Sequence, residues 1–123
     1  MAFFAAFLAM MLAGWDGQVL SVDKVQDPEI VAGLSRKYWN LSLIEADLLI
    51  APEPRVIDWI RRDGGMLYTD NGNKRRELEL YAPFLPRGGL LGTHDYGTEV
   101  DAAWAESFLA GLGYAPFRPE EFA

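Results

Sequence analysis

The segment 64–99 constrains the fold more than any other part of this sequence. Two short apolar runs, 66–68 and 89–92, each lead into polar residues that include an aspartate, Asp70 after the first run and Asp95 after the second. A helical pattern, ELELY, lies between them and is followed by a Pro/Gly turn. This order is typical of a parallel α/β sheet, in which a functional site lies along the carboxyl ends of the strands.

The same alternation of strand and helix patterns extends over the rest of the chain. Apolar runs predict strands at 19–22, 42–44, 66–69 and 90–93, and the segments that alternate with them predict helices at 2–13, 28–38, 55–62, 75–84 and 100–112. Asp27 before Pro28 is typical of a helix start, and a further short strand is expected at 114–118. Short strands that alternate with helices favour a parallel sheet, so we predict one α/β domain over 1–123.

The composition excludes several classes of site. The 123 residues include no cysteine and a single histidine, His94, which excludes disulfides, thiol nucleophiles and metal sites that need cysteine or two histidines from one chain. The formal net charge of -7 disfavours nucleic acid and anionic membranes, because both would be repelled by such a surface. We therefore expect neither as a partner.

The first thirteen residues are apolar throughout and predict a buried helix. This run is shorter than the ~20 residues of a membrane span. No lysine or arginine precedes Lys24, whereas a secretory signal begins with basic residues. Membrane association and a truncated targeting segment remain as alternatives, and we expect a cytoplasmic protein.

The pattern of an aspartate at 70, the sequence ELELYAP, a Pro/Gly turn and a second polar pair ending in Asp95 resembles the class I S-adenosylmethionine-dependent methyltransferases. The nearest likeness is the branch of cephalosporin hydroxylase-like proteins and rhamnosyl O-methyltransferases, and it covers about residues 2–118. The resemblance implies a three-layer Rossmann-like α/β fold with a mostly parallel sheet. The family's first strand and glycine-rich loop are not found in this sequence. We therefore expect a sheet truncated at its N-terminus and weak or undetectable binding of S-adenosylmethionine.

The resemblance also implies roles for five residues. Asp23, at the tip of the family's second strand, matches the acid that holds the cofactor ribose, and Asp47 matches a position near the adenine. Asp70 and Asp95 match ligands of a divalent cation such as Mg²⁺, which would activate a substrate hydroxyl. His94 replaces the second acid that relatives often have, which weakens the magnesium interpretation. It makes His94, together with Asp95, a candidate for general-base catalysis.

The same residue types also have structural explanations. Asp23 fits a solvated turn before Lys24, and Asp47 fits a helix N-cap or an exposed position. A histidine beside an aspartate, as at 94 and 95, also fits a simple hydrogen-bonded pair.

The basic run 74–76 stands out in an acidic chain. Its members are spaced to pair with Glu77 and Glu79 on one helix, so we expect a solvated helix face. Lys74 follows the third predicted strand closely, and a position near the substrate is the alternative.

We predict an S-adenosylmethionine-dependent O-methyltransferase that acts on a hydroxyl of a sugar or another small metabolite. Two alternatives stay open, an inactive methyltransferase relative that binds a partner and a metal-dependent hydrolase or lyase on the same half-sheet. Strands 19–22 and 66–69 would flank the missing first strand of the family. Their open edges, together with the apolar helix at 2–13, predict a homo-oligomer.

Overall fold

The structure, a computed structural model, describes residues 2–15, 17–63 and 65–116, which form two compact units, Met1–Trp59 and Ile60–Ala123. The helices are α1 (Ala2–Leu12), α2 (Pro28–Lys37), α3 (Pro54–Asp63), α4 (Lys74–Tyr81) and α5 (Ala102–Gly111). The strands are β1 (Val19–Asp23), β2 (Leu41–Glu45), β3 (Met66–Thr69) and β4 (Leu90–Thr93). Single turns of 3₁₀ helix follow α1 at Ala13–Trp15 and α4 at Ala82–Phe84. The four strands and five helices predicted up to residue 112 are confirmed to within a few residues.

The first unit contains a parallel pair of strands covered by helices. β1 and β2 pair in a register that runs from Val19 opposite Leu41 to Asp23 opposite Glu45. One buried cluster of the core consists of Ala5 and Ala9 of α1 with Leu41 of β2, and the partly buried residues around it are Val19, Leu34, Tyr38 and Leu43. The small alanine side chains let the helix approach the strands closely. Asp27 caps α2 as predicted, since its carboxylate accepts hydrogen bonds from the backbone of Glu29 and Ile30.

The end of α1 is fixed by a buried side chain. Asn40 is 1% exposed, and its amide donates to the backbone carbonyls of Ala9 at 2.8 Å and Gly17 at 2.7 Å. Gly17 in turn donates its N–H to the Leu12 carbonyl at 3.0 Å. A Cβ at position 17 would lie 2.6 Å from Cβ of Leu12, so this close return of the chain requires glycine.

The C-terminal part of α1 is not buried. Met10, Met11 and Leu12 are 53%, 58% and 39% exposed, so the expectation of a helix buried throughout is wrong for this part. Ala5 and Ala9 of the same helix, by contrast, are 4% and 0% exposed and pack in a buried cluster with Leu41. Among the described residues, no helix has both the length and the apolar character that a membrane crossing requires.

The second unit repeats the parallel arrangement. β3 and β4 pair from Met66 opposite Leu90 to Thr69 opposite Thr93. One buried cluster of its core consists of Leu78, Val100 and Ala105, and the partly buried apolar residues around it are Leu91, Trp104 and Phe108. Parallel pairing within each unit confirms the predicted α/β class with parallel strands.

Polar and proline residues set the helix ends of the second unit. Asn73 caps α4 by accepting a hydrogen bond from the backbone of Arg76, so the helix begins at Lys74. Pro83 lacks an N–H, and the α-helix predicted to reach residue 84 ends at Tyr81 and continues as a 3₁₀ turn. The short strand expected at 114–118 is absent over 114–116, and its remaining positions lie outside the described residues.

Candidate functional site

The register of β3 and β4 places the residues that follow them side by side. Thr69 and Thr93 are opposite each other, and their hydroxyl groups form a hydrogen bond of 2.8 Å. The backbone N–H of His94 then donates to the Thr69 carbonyl at 3.0 Å. Because parallel strands end at the same edge, Asp70 and His94 leave the sheet together.

Asp70, His94 and Asp95 form the centre of the site, and we refer to them with Lys74 and Glu99 as the acidic cluster. Nδ1 of His94 lies 2.8 Å from Oδ2 of Asp95 and 3.2 Å from Oδ1 of Asp70. Both neighbours of this nitrogen are acceptors, so we assign the proton of the neutral ring to Nδ1. The His94 side chain is 53% exposed. Nε2 of the neutral ring is then the basic atom available to a ligand.

An unusual backbone conformation holds Asp95. Its φ of 54° makes it the one non-glycine residue at positive φ in the described chain, a conformation that costs about 1–2 kcal/mol for most L-residues and somewhat less for aspartate. The loop fixes this conformation, because the Asp95 carbonyl accepts hydrogen bonds from the N–H groups of Thr98 at 3.1 Å and Glu99 at 3.0 Å. The same carbonyl also accepts from the Val100 N–H at 3.3 Å and from the Thr98 hydroxyl at 2.9 Å. Backbone strain that persists because the surroundings enforce it is common at functional sites.

Lys74 lies inside this site and not on a solvated face, so the expectation for the basic run is wrong at this residue. It is 7% exposed, and its ammonium is hydrogen-bonded to Oε2 of Glu99. The same nitrogen lies 3.8 Å from Oδ2 of Asp95 and 4.0 Å from Oδ1 of Asp70. The hydrogen bond with Glu99, aided by the charges of Asp95 and Asp70, raises the pKa of Lys74 above its usual value. The lysine therefore stays charged at neutral pH.

The other two members of the basic run behave as expected. The side chains of Arg75 and Arg76 are 58% and 45% exposed and lie 3.2 Å and 3.9 Å from the carboxylate of Glu79. Lys74 differs because its ammonium lies among the carboxylates of Asp70, Asp95 and Glu99, which follow β3 and β4.

Glu77 stabilises the segment that follows Asp70. The sequence had predicted a surface ion pair for Glu77 and did not predict this role. It is 3% exposed, and its two carboxylate oxygens accept hydrogen bonds from the side chain of Asn71 at 2.8 Å and from its backbone at 3.1 Å. Burial raises the pKa of Glu77, while the two bonds from Asn71 partly oppose that shift. Glu77 thereby fixes the chain directly after Asp70.

The two residues assigned to the cofactor lie in the first unit. Asp23 ends β1, and its carboxylate accepts a hydrogen bond of 2.8 Å from the backbone of Lys24. Asp47 follows β2; it accepts a bond of 3.0 Å from the backbone of Leu49 and lies 3.0 Å from the Lys24 ammonium. The bond from Leu49 and the pairing with Lys24 lower the pKa of Asp47. Asp23 is thus the last residue of β1, and Asp47 lies two residues after the end of the paired strand β2.

An open cavity of about 350 Å³ lies in the same unit. It is lined by Gln26, Pro28, Val31, Leu43 and Glu45. Glu45 is the register partner of Asp23, and its carboxylate accepts a hydrogen bond of 2.9 Å from the backbone of Gln26.

The acidic cluster does not fit a divalent cation bound directly between Asp70 and Asp95. Magnesium and calcium need carboxylate oxygens at about 2.0–2.6 Å. One oxygen of each carboxylate, Oδ1 of Asp70 and Oδ2 of Asp95, is already in contact with the Lys74 ammonium and the His94 ring. Within the described ranges, no group of three or more His, Asp or Glu side chains is arranged to hold a metal.

Sequence reasoning predicted that Asp70 and Asp95 lie together because they follow neighbouring strands, and the structure brings them together with His94. It missed the burial of Lys74 and Glu77. One signal was available for the lysine, since Lys74 stands four residues after Asp70, a spacing at which a carboxylate and an ammonium often pair.

A comparison with protein-family models, curated protein sequences and solved structures finds no match to this chain.

Proposed function

We propose that this chain is an S-adenosylmethionine-dependent O-methyltransferase-like protein that acts on a hydroxyl group of a sugar or another small metabolite. One observation carries the proposal, the half-exposed His94 ring whose Nδ1 lies between Asp95 and Asp70. The same proposal takes the three-layer Rossmann-like fold of that family as the architecture.

The arrangement supports removal of a proton from a hydroxyl group. With Nδ1 as the donor toward Asp95, Nε2 of His94 accepts the hydroxyl proton, and the two neighbouring carboxylates stabilise the imidazolium that forms. The substrate oxygen becomes a nucleophile as its proton leaves. S-adenosylmethionine, when bound, supplies an electrophilic methyl group to such an oxygen.

The acidic residues of the first unit support the cofactor part of the proposal. Asp23 ends its strand beside Glu45, and a carboxylate at that position accepts hydrogen bonds from ribose hydroxyl groups in dinucleotide-binding sheets. Asp47, held by Leu49 and Lys24, follows the neighbouring strand.

The test measures transfer of an isotope-labelled methyl group from millimolar S-adenosylmethionine to a panel of sugars and phenols. We expect transfer with the wild-type chain and a loss of about 10²-fold or more in His94→Asn, because general-base catalysis contributes 10²–10⁴-fold. Glu79→Gln changes a half-buried acid of α4 that pairs with Arg75 and Arg76, and it is the matched control, expected to leave the rate unchanged.

Two outcomes would count against the proposal. Transfer that is equal in the wild type and His94→Asn would remove the role of the histidine. No transfer to any acceptor, even at millimolar S-adenosylmethionine, would favour the inactive relative.

A further inference from the structure

The Lys74 ammonium occupies the place where the resemblance leads one to expect a divalent cation. It contacts three carboxylates that come from different parts of the chain: Asp70 after β3, Asp95 after β4, and Glu99 in the following loop. The lysine is 7% exposed, so its positive charge is buried in the site, where these three carboxylates balance it. Burial of an ammonium is unfavourable unless partners of opposite charge surround it, as they do here.

The chain holds both sides of this arrangement in place. The N-cap of Asn73 starts α4 at Lys74, which fixes the origin of the lysine side chain. Glu99 is positioned by its backbone N–H, which donates to the Asp95 carbonyl at 3.0 Å. The loop that sets the strained Asp95 backbone therefore also presents the third carboxylate to Lys74.

We propose that Lys74 is the built-in cation of this site and takes the place of a divalent metal ion. The single positive charge of its ammonium attracts the carboxylates of Asp70, Asp95 and Glu99. A molecule that binds at this site therefore does not require Mg²⁺ or Ca²⁺. A metal ion entering between Asp70 and Asp95 would have to displace the ammonium and leave it buried beside a second cation. This inference concerns the cation alone and holds whether or not the chain transfers a methyl group.

A direct consequence follows for a variant without the charge. Replacing Lys74 with methionine keeps most of the length and volume of the side chain but leaves three carboxylates facing one another. Carboxylate oxygens in such a group are the ligands that calcium prefers. The variant should therefore gain the metal site that the wild type lacks.

The experiment titrates Ca²⁺ and Mg²⁺ by calorimetry into the full chain and into Lys74→Met. For the wild type we expect no saturable binding below about 10⁻³ M, the weak end of known calcium sites. For Lys74→Met we expect Ca²⁺ binding that is tighter by about tenfold or more, because the Lys74 ammonium, hydrogen-bonded to Glu99 and 3.8–4.0 Å from Asp95 and Asp70, opposes the metal in the wild type.

Arg75→Met is the matched control, since it removes the same charge from the next residue, whose side chain is 58% exposed. Its Ca²⁺ binding should equal that of the wild type. The double variant Lys74→Met, Asp95→Asn should lose the gained affinity.

Two results would overturn the proposal. The first is binding of Mg²⁺ or Ca²⁺ to the wild type with a dissociation constant of 10⁻⁴ M or lower that Asp70→Asn abolishes. If circular dichroism shows that Lys74→Met is unfolded, this wild-type titration decides the question by itself. The second is a folded Lys74→Met that gains no more affinity than Arg75→Met.

Discussion

Glu77→Ala tests whether the buried carboxylate under the site supports it. Glu77 is 3% exposed, and its carboxylate is the acceptor for both the side-chain and the backbone N–H groups of Asn71, at 2.8 and 3.1 Å. Alanine removes both acceptors and releases the chain that follows Asp70. The expected result is a loss of stability in the second unit and a more mobile Asp70.

The magnitude follows from two opposing contributions. A hydrogen bond to a charged group contributes about 1.5–3 kcal/mol, so two bonds contribute about 3–6 kcal/mol. Burial of the carboxylate offsets part of this gain, as its raised pKa shows, and water reaches the half-buried Asn71 in the variant. We therefore expect a net loss of about 2–3 kcal/mol in the free energy of unfolding, or about 8–12 °C in Tm at about 4 °C per kcal/mol.

Urea unfolding followed by circular dichroism measures this loss. Glu79→Ala is the matched control, because it removes the same charge from the same helix but breaks only surface ion pairs with Arg75 and Arg76. Exposed pairs contribute about 0.2–1 kcal/mol, so the control should lose no more than that. Equal losses in Glu77→Ala and Glu79→Ala would refute the supporting role of Glu77.

The pH dependence gives an independent check with a defined sign. The pKa of Glu77 is raised in the folded chain above its ordinary value of 4.5, so the folded state holds this proton more tightly than the unfolded state. The stabilisation from protonation is complete below pH 4.5 and is lost as the pH rises through the raised pKa. Relative to Glu77→Gln, which does not titrate, the wild type should gain stability on acidification from pH 7 to 4.5. A difference that is constant over this range would contradict the raised pKa.

Two further predictions concern the core and the apolar helix. Leu78→Ala leaves a cavity at a fully buried position beside Val100 and Ala105 and should lower the free energy of unfolding in urea by about 2–5 kcal/mol. Leu80→Ala, at a half-buried position on the same helix, should lower it by less. Equal losses in the two variants would contradict the assigned core. We also expect the chain to form a homo-oligomer through the exposed apolar end of α1. Met11→Glu should therefore reduce the particle mass measured by light scattering. A wild-type chain that is a monomer of 13.8 kDa would count against association.

Local sequence determined the elements and the edge at which the site forms. The apolar run before Asp70 and the one before His94 gave strands with the predicted bounds, because short β-rich runs between glycine turns have few other ways to bury their side chains. The cap at Asp27 was equally predictable, since its carboxylate acts on the next few backbone groups. Parallel pairing of these two strands then places Asp70 beside His94, and this can be predicted without knowing how the helices pack.

Tertiary structure decided which charged residues enter the site. Lys74, Arg75 and Arg76 are adjacent cations with the same local pattern, and only Lys74 is buried. Its burial depends on the rotation of α4 about its axis and on a loop that brings Glu99 to it from 25 residues away. Such a choice rests on charges that meet only in the folded chain, because the cost of burying an ammonium is offset by partners that are distant in sequence.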